Sequence, residues 1–477
     1  MSKYEFDVAI LGSGTAGMGA YREATKYTDR VALIDGGVLG TTCARVGCMP
    51  SKLLIAAAEA YHKAQHTELF GIKSGKPQID GKAVMDRVRS ERDRFVGFVL
   101  EAVEGFDVGE RIREYAKFVD PHTLELTSGR KITARNIVIA TGSRPNIPSP
   151  FQAAGDRLVV NDDVFEWEKL PRSVAVFGAG VIGLELGQAL SRLGVRVRLF
   201  GRDHFVGPLS DPEVKAYAAK TFAEEFPAHW HADSEISRDG DEVVVKWSDE
   251  NGEGEERFDY LLAATGRRAN LDNIGLENSG LELNERGLPK VDPLSLRADD
   301  SHIFIAGDAT ADLPLLHEAA DEGRLAGENA ARFPDAYRRA RRTSLGVVFS
   351  DPQIATAGES FKSLIDKGVD FAVGDVSFEN QGRSRVMGIN KGLLRIYGEQ
   401  ETGRLFGAEM IGPGAEHLAH LISWTIAGGL TVEEALQRPF YHPVIEEGLR
   451  TALRILNKNL GFGPNPPLRC IDCGPGA

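Results

Sequence analysis

The feature that most narrows the fold is a repeat of strand, glycine turn and helix. Tyr4 to Ile10 reads as a strand that runs into Gly12-Ser13-Gly14-Thr15-Ala16-Gly17. Val174 to Phe177 runs into Gly178-Ala179-Gly180-Val181-Ile182-Gly183 with the same spacing. In such a unit the first glycine permits a tight turn, the second lets a pyrophosphate approach the helix N-terminus, and the third lets helix and strand pack closely. A single match is weak, whereas two along one chain predict two dinucleotide sites. A second strand, Val31 to Ile34, ends on Asp35, an acid placed to hold a ribose hydroxyl. The segments 137–144 and 261–268 resemble each other, so Thr141-Gly142 and Thr265-Gly266 are expected to close the two halves. Ile303 to Ala309 gives a further buried strand ending in Gly307-Asp308, whose acid is expected to grip a polyol.

Between the two repeats stands Thr41-Thr42-Cys43-Ala44-Arg45-Val46-Gly47-Cys48-Met49-Pro50-Ser51-Lys52. It reads as a redox-active dithiol at the start of a helix. With four residues between them, Cys43 and Cys48 are expected on one helical face, about one turn apart. The positive end of the helix and the Lys52 ammonium would both favour a thiolate. Alone, the pair is also compatible with half a metal site or two unconnected core cysteines. The whole chain holds four cysteines, in the pairs Cys43/Cys48 and Cys470/Cys473, too few for a secreted disulfide scaffold. A net charge of -13 offers no broad basic surface for nucleic acid or an anionic membrane, which leaves small soluble partners. Without a signal-peptide pattern or a long apolar run, a cytoplasmic protein is expected. The 477 residues exceed one core, and from about Thr343 strands interleave with helices without any nucleotide signature.

Taken in order, these motifs and the closing His442-Pro443-x-x-x-Glu447 resemble the flavin-dependent pyridine nucleotide disulfide oxidoreductases, the family of dihydrolipoyl dehydrogenase and glutathione reductase. The resemblance spans essentially the whole chain. It implies an α/β fold of two Rossmann-like dinucleotide-binding domains, for FAD and NAD(P), with a C-terminal α+β dimerisation domain. The expected division is an FAD-binding domain at 1–148, an NAD(P)-binding domain at 149–274, a segment completing the FAD-binding domain at 275–342, an interface domain at 343–460 and a flexible tail at 461–477. It further implies a homodimer whose active site is shared across subunits, passing electrons between NAD(P)(H) and a small-molecule or protein-bound dithiol or disulfide. By this resemblance Cys48 lies beside the flavin, Cys43 is the interchange thiol, and Lys52 pairs with Glu185 near the flavin ring. His442, held by Glu447, serves as the base toward the other subunit's dithiol. Gly12, Gly14, Gly17, Asp35, Thr42, Lys52, Thr141, Gly142 and Asp308 fall to FAD. Gly178, Gly180, Gly183, Arg202 and Gly266 fall to the nicotinamide nucleotide. No resident metal is expected.

Two choices stay open. Asp35 stands 18 residues after Gly17, and the same offset from Gly183 lands on Gly201, with Arg202 next and Arg198 and Arg196 on the same strand. A glycine makes room for a 2'-phosphate and an arginine supplies its partner, so the balance leans to NADP(H) over NAD(H). Dihydrolipoyl dehydrogenase is the nearest named activity. The alternative is an NADPH-driven reductase of a bulky disulfide, or of a metal ion, with Cys470 and Cys473 as a shuttle. A flavoprotein retained as a non-catalytic subunit would lack at least one of these groups, and none is missing. Arg45 stands where the dehydrogenases carry a neutral residue, which reads either as an altered substrate approach or as a surface charge.

Overall fold

The computed structural model describes residues 3–73, 75–107 and 109–461. Two parallel sheets carry the repeated units. In the first, β1 (Phe6–Leu11) is followed by helix α1 (Thr15–Ala24) and β2 (Val31–Ile34), and the order runs Arg111–Ile112, β2, β1, Lys131–Ile139. Val8 to Leu11 and all of β2 are buried, as expected of parallel strands covered on both faces. Each such aliphatic side chain contributes about 1.5–3 kcal/mol. Ile303–Ile305 comes back to this sheet beside Lys131–Ile139, with Ile303 opposite Ile137. In the second sheet the order is Ala228–His229, Arg196–Phe200, Ser173–Phe177, Tyr260–Ala263, Leu158–Val159.

The two halves repeat in detail. Gly12 N donates to Ile34 O and Gly178 N to Phe200 O, both at 2.8 Å. Ala140 N donates to Leu11 O and Ala264 N to Phe177 O, also at 2.8 Å. Ser143–Pro145 pairs antiparallel with Arg267–Ala269, so the segments after the two Thr-Gly turns cross each other. The stretch from Asp249 to Arg257, whose charge and glycines mark an exposed hairpin turn, turns at Glu250 and Asn251 and continues as strand. Gly252–Phe258 pairs along Glu242–Asp249 in a three-stranded antiparallel sheet, and the Asp249 side chain is only 4% exposed.

The C-terminal region is a five-stranded antiparallel sheet in the order Leu345–Val348, Gln353–Gly358, Leu405–Gly412, Leu393–Glu399, Phe371–Ser377. Helices Ala415–Ala427 and Glu447–Asn459 pack on it. A buried carboxylate fastens it to the nucleotide-binding half. Glu409 is fully buried and accepts from Ser210 N at 2.6 Å, Asp211 N at 2.8 Å and Phe361 N at 2.9 Å. Asp211 in turn caps helix Pro212–Ala223 and accepts from the Tyr397 hydroxyl at 3.0 Å.

Removing the Glu409 carboxylate leaves buried N–H groups without acceptors, at about 1–3 kcal/mol each. Glu409→Ala should therefore lower the thermal unfolding midpoint by about 5 °C or more, and Glu409→Gln by less. Calorimetry on the two variants checks this, and an unchanged midpoint for Glu409→Ala would contradict the latch.

Candidate active site

The cysteine pair does not sit on one helical face. On an unbroken helix a five-residue step turns by about 140°, which would point the two side chains apart. The chain instead breaks at Gly47 into a short helix α2 (Thr42–Val46) and a long helix α3 (Cys48–Gln65). A Cβ at Gly47 would stand 3.0 Å from Thr42 O and 3.3 Å from Cys43 Cα, so the close return that brings the thiols together favours glycine. Thr41 caps α2 through Ala44 N at 3.2 Å, and Asn161 Nδ2 donates to Val46 O at 2.7 Å, holding the break from outside.

Cys48 is thus the first residue of an 18-residue helix and is exposed, while Cys43 is half-buried. Both thiols are free and lie within hydrogen-bond reach of each other. The Cys43 hydrogen bond, aided by the Lys52 charge and the helix N–H, outweighs desolvation and lowers Cys48 to about 7. Cys43 moves the other way, pushed far above the ordinary thiol range by donating to Cys48 and by burial. The pair shares one proton, and it leaves the thiolate on Cys48. Lys52 Nζ donates to Glu185 Oε2 at 2.7 Å and lies 4.5 Å from the centre of the Phe349 ring. Glu185, 4% exposed on helix Val181–Arg192, also accepts from Phe349 N at 2.8 Å. Arg45 is no free surface charge. Its Nε is buried without a partner, and it acts with Arg267 on Asp162, whose carboxyl burial nonetheless raises.

The first glycine turn has the shape of a dinucleotide cradle. A Cβ at Gly12 would stand 2.4 Å from Ala140 O, and one at Gly17 would stand 1.8 Å from Gly12 O, whereas Gly14 faces open space. Asp35 Oδ2 accepts from Ser13 N and Oγ at 2.8 and 2.6 Å, and its Oδ1 accepts from Gly37 N. The Thr141 hydroxyl is buried without a hydrogen-bond partner, and Gly142 adjoins open space at φ +69°. Asp308 accepts from Ser143 Oγ at 2.5 Å, and Arg267 Nε donates to that same hydroxyl. Thr42 is exposed at the start of α2. An unspent hydroxyl, an open glycine turn and an anchored acid suit a flavin dinucleotide.

The second turn repeats the cradle. A Cβ at Gly178 would stand 2.3 Å from Ala264 O and one at Gly183 would stand 1.8 Å from Gly178 O, and Gly266 faces open space at φ +94°. Its acid position differs, because a Cβ at Gly201 would press on Trp230 O at 3.2 Å. Arg198 is not available to a phosphate. It donates to Glu256 at 2.5 Å and to His229 Nε2 at 2.9 Å and lies over Trp247, and Arg196 also pairs with Glu256. Arg202, 92% exposed, stands at the strand's end with its Nε 3.4 Å from Asp203 Oδ2.

His442 and Glu447 form a second cluster. The imidazole Nδ1 lies 3.0 Å from Glu447 Oε2 and the ring is 81% exposed. The imidazole, with Val444 N and Arg450 beside it, holds the Glu447 carboxyl below its usual range. Gln381 Nε2 donates to Val444 O at 2.8 Å, bracing the loop. Among the described residues no hydrogen bond joins this cluster to the dithiol. Cys470 and Cys473 lie outside the described residues.

Comparison with known proteins agrees with this geometry. The signature of the pyridine nucleotide-disulphide oxidoreductases matches residues 6–323, and that of their dimerisation domain matches residues 344–453. A dihydrolipoyl dehydrogenase from Geobacillus stearothermophilus is 31% identical over 448 residues, covering 93% of this chain and 94% of its own. A mercuric reductase from Streptomyces lividans is 32% identical over 472 residues, covering 95% and 97%. In fold, LpdA from Mycobacterium tuberculosis is similar with a TM-score of 0.80 at 24% identity, over 94% of this chain and 99% of that one. The chain belongs to the pyridine nucleotide-disulphide oxidoreductase family. It is an FAD-dependent flavoprotein oxidoreductase with a nicotinamide dinucleotide as electron partner and a C-terminal dimerisation domain. Among the described residues no helix is long and apolar enough to cross a membrane.

The Cys48 value sets a pH test. In the reduced protein, thiolate absorbance near 240 nm should rise with a midpoint of about pH 7, as the thiol below that pH gives way to thiolate above it. Cys48→Ser should remove this step, and Lys52→Met should move it upward.

Proposed function

We propose that the chain is a dihydrolipoyl dehydrogenase-type enzyme that oxidises a dithiol to a disulfide. FAD, when bound, supplies a two-electron acceptor between the dithiol and the nicotinamide. Gly12, Gly14, Gly17, Asp35, Thr42, Thr141, Gly142 and Asp308 hold it, with Lys52 and Glu185 beside its ring. Gly178, Gly180, Gly183, Gly266 and Arg202 hold the nicotinamide nucleotide, with NADP(H) favoured at Gly201/Arg202. The observation that carries the reading is the complete pair of clusters: a proton-sharing Cys43/Cys48 couple over Lys52, and an exposed imidazole gripped by Glu447 at 3.0 Å.

In this reading the oxidised enzyme carries a Cys43–Cys48 disulfide. His442 of the partner subunit takes the proton of a substrate thiol, and the resulting thiolate attacks the Cys43 sulfur. A mixed disulfide forms there, and the Cys48 thiolate leaves into the field of Lys52 and the α3 N-terminus. The imidazole then passes the first proton to the departing Cys43 sulfur and takes up that of the second substrate thiol, as the second thiolate attacks the substrate sulfur held in the mixed disulfide. This closes the product disulfide and leaves a Cys43 thiol, a Cys48 thiolate and a protonated imidazole. Glu447 orients that imidazole by holding its Nδ1 at 3.0 Å.

A second reading is carried by the similarity to mercuric reductase. In it the Cys470/Cys473 pair serves an NADPH-driven reduction of a bulky disulfide or a metal ion. The intact His442–Glu447 couple weighs against the metal ion, since it is disulfide exchange that needs a base.

A steady-state matrix of NADH and NADPH against lipoamide, glutathione disulfide, a protein disulfide and Hg²⁺ decides between them. Lipoamide turnover that survives truncation before Cys470 supports the first. Cys48→Ser should keep FAD bound and abolish disulfide turnover. His442→Ala should lower lipoamide turnover by about 10²–10⁴-fold, the usual worth of a positioned base, with flavin reduction by the nicotinamide intact. Equal loss in both half-reactions would refute the assigned role.

A further inference from the structure

The loop 201–207 lies against the second glycine turn. Gly207 N donates to Ala179 O at 2.7 Å, and Phe205 Cε1 would stand 4.0 Å from a Cβ at Gly180. Three hydrogen bonds tie the loop to the neighbouring strand and the residues after it: Gly201 N to His229 O at 2.6 Å, His204 N to Trp230 O at 3.0 Å, and Asp203 N to His231 Nδ1 at 3.1 Å. Asp203 and His204 both hold left-handed backbone, at φ 55° and 53°, a conformation that costs a non-glycine residue about 1 kcal/mol or more. The three bonds hold it in place.

The charges gathered there are finely matched. Arg202 Nε lies 3.4 Å from Asp203 Oδ2, and His231 Nδ1 lies 3.7 Å from Asp203 Oδ1. The His204 and His231 rings stack at 5.4 Å with 16° between planes, and both are exposed. Behind them Arg198 and Arg196 are spent on Glu256, and His229 on Asp249. With neutral imidazoles Arg202 and Asp203 cancel, and the cluster offers an anion no net attraction.

We propose that His204 and His231 set, through their protonation, how strongly this half of the enzyme favours a 2'-phosphorylated adenosine. This rests on the reading that the second glycine turn holds the nicotinamide nucleotide with Arg202 near its ribose. While Nδ1 of His231 accepts from Asp203 N, the ring is neutral and the Asp203 carboxylate occupies Arg202. A proton on Nδ1 turns the acceptor into a donor facing that carboxylate, so Asp203 exchanges Arg202 for His231. The guanidinium is then free for a phosphate monoester, which carries between about one and two negative charges near neutral pH. The preference for NADP(H) over NAD(H) therefore falls as pH rises.

The test is calorimetric titration of the flavin-loaded enzyme with adenosine 2',5'-bisphosphate and with 5'-AMP, at pH 6.5 and 8.5. It is run on the native protein and on the His204→Gln/His231→Gln double variant. The expected result is a bisphosphate preference about tenfold larger at pH 6.5 in the native protein, the worth of about one charge-assisted hydrogen bond. In the double variant that gain disappears while 5'-AMP affinity stays native, which shows the fold intact. The phosphate's own second ionisation, near pH 6, is common to both proteins and opposes the effect. A native preference that is independent of pH, or a double variant that keeps the native profile, overturns the proposal. A constant preference lost in Arg202→Gln overturns it while leaving the NADP(H) reading standing. No preference at either pH overturns both.

Discussion

A buried carboxylate whose two oxygens are both spoken for holds the centre of this molecule. Glu185 meets Lys52 Nζ at 2.7 Å on one oxygen and Phe349 N at 2.8 Å on the other. Left unpaired in that setting, a charge would cost several kcal/mol, so the three groups must assemble together. They come from different parts of the chain: the helix that begins at Cys48, the helix that begins at the second glycine turn, and the residue that follows the first strand of the C-terminal sheet. The ammonium that neutralises Glu185 also helps lower the Cys48 thiol. The contact that locks the domains is thereby the contact that tunes the sulfur.

What could be read in the sequence was what is encoded locally. The glycine turns were legible because close backbone approach at Gly12, Gly17, Gly178 and Gly183 is a demand on those residues alone. The apolar strands were legible because both faces are buried. The dithiol was legible as chemistry and misplaced as geometry, since the spacing of Cys43 and Cys48 says nothing of the break at Gly47 that brings them together. The hairpin turn in 249–257 was legible in its charge and glycines, whereas the strand that follows it, polar as far as Arg257, had no apolar alternation to mark it.

Other features had no local signal at all. Asn161 supports Val46 across 115 positions, Phe349 meets Glu185 across 164, and Gln381 braces Val444 across 63. None of the three stands in a pattern that singles it out. Arg198 shows the reverse failure. In sequence it is a free cation beside a nucleotide site, and in the fold Glu256, His229 and Trp247 use its charge and its face.

The two nucleotide turns share hydrogen-bond lengths at matching positions, yet part company at Asp35 and Gly201. Trp230 O, which a Cβ at 201 would crowd to 3.2 Å, is also the acceptor for His204 N. Anyone redesigning the coenzyme choice by planting an acid at 201 would have to shift a backbone by a few tenths of an ångström. That shift would loosen the loop which carries Arg202. On the proposed reading of Arg202, coenzyme choice in this scaffold is a trait of a folded segment, and exchanging it means exchanging the loop with the strand that clasps it.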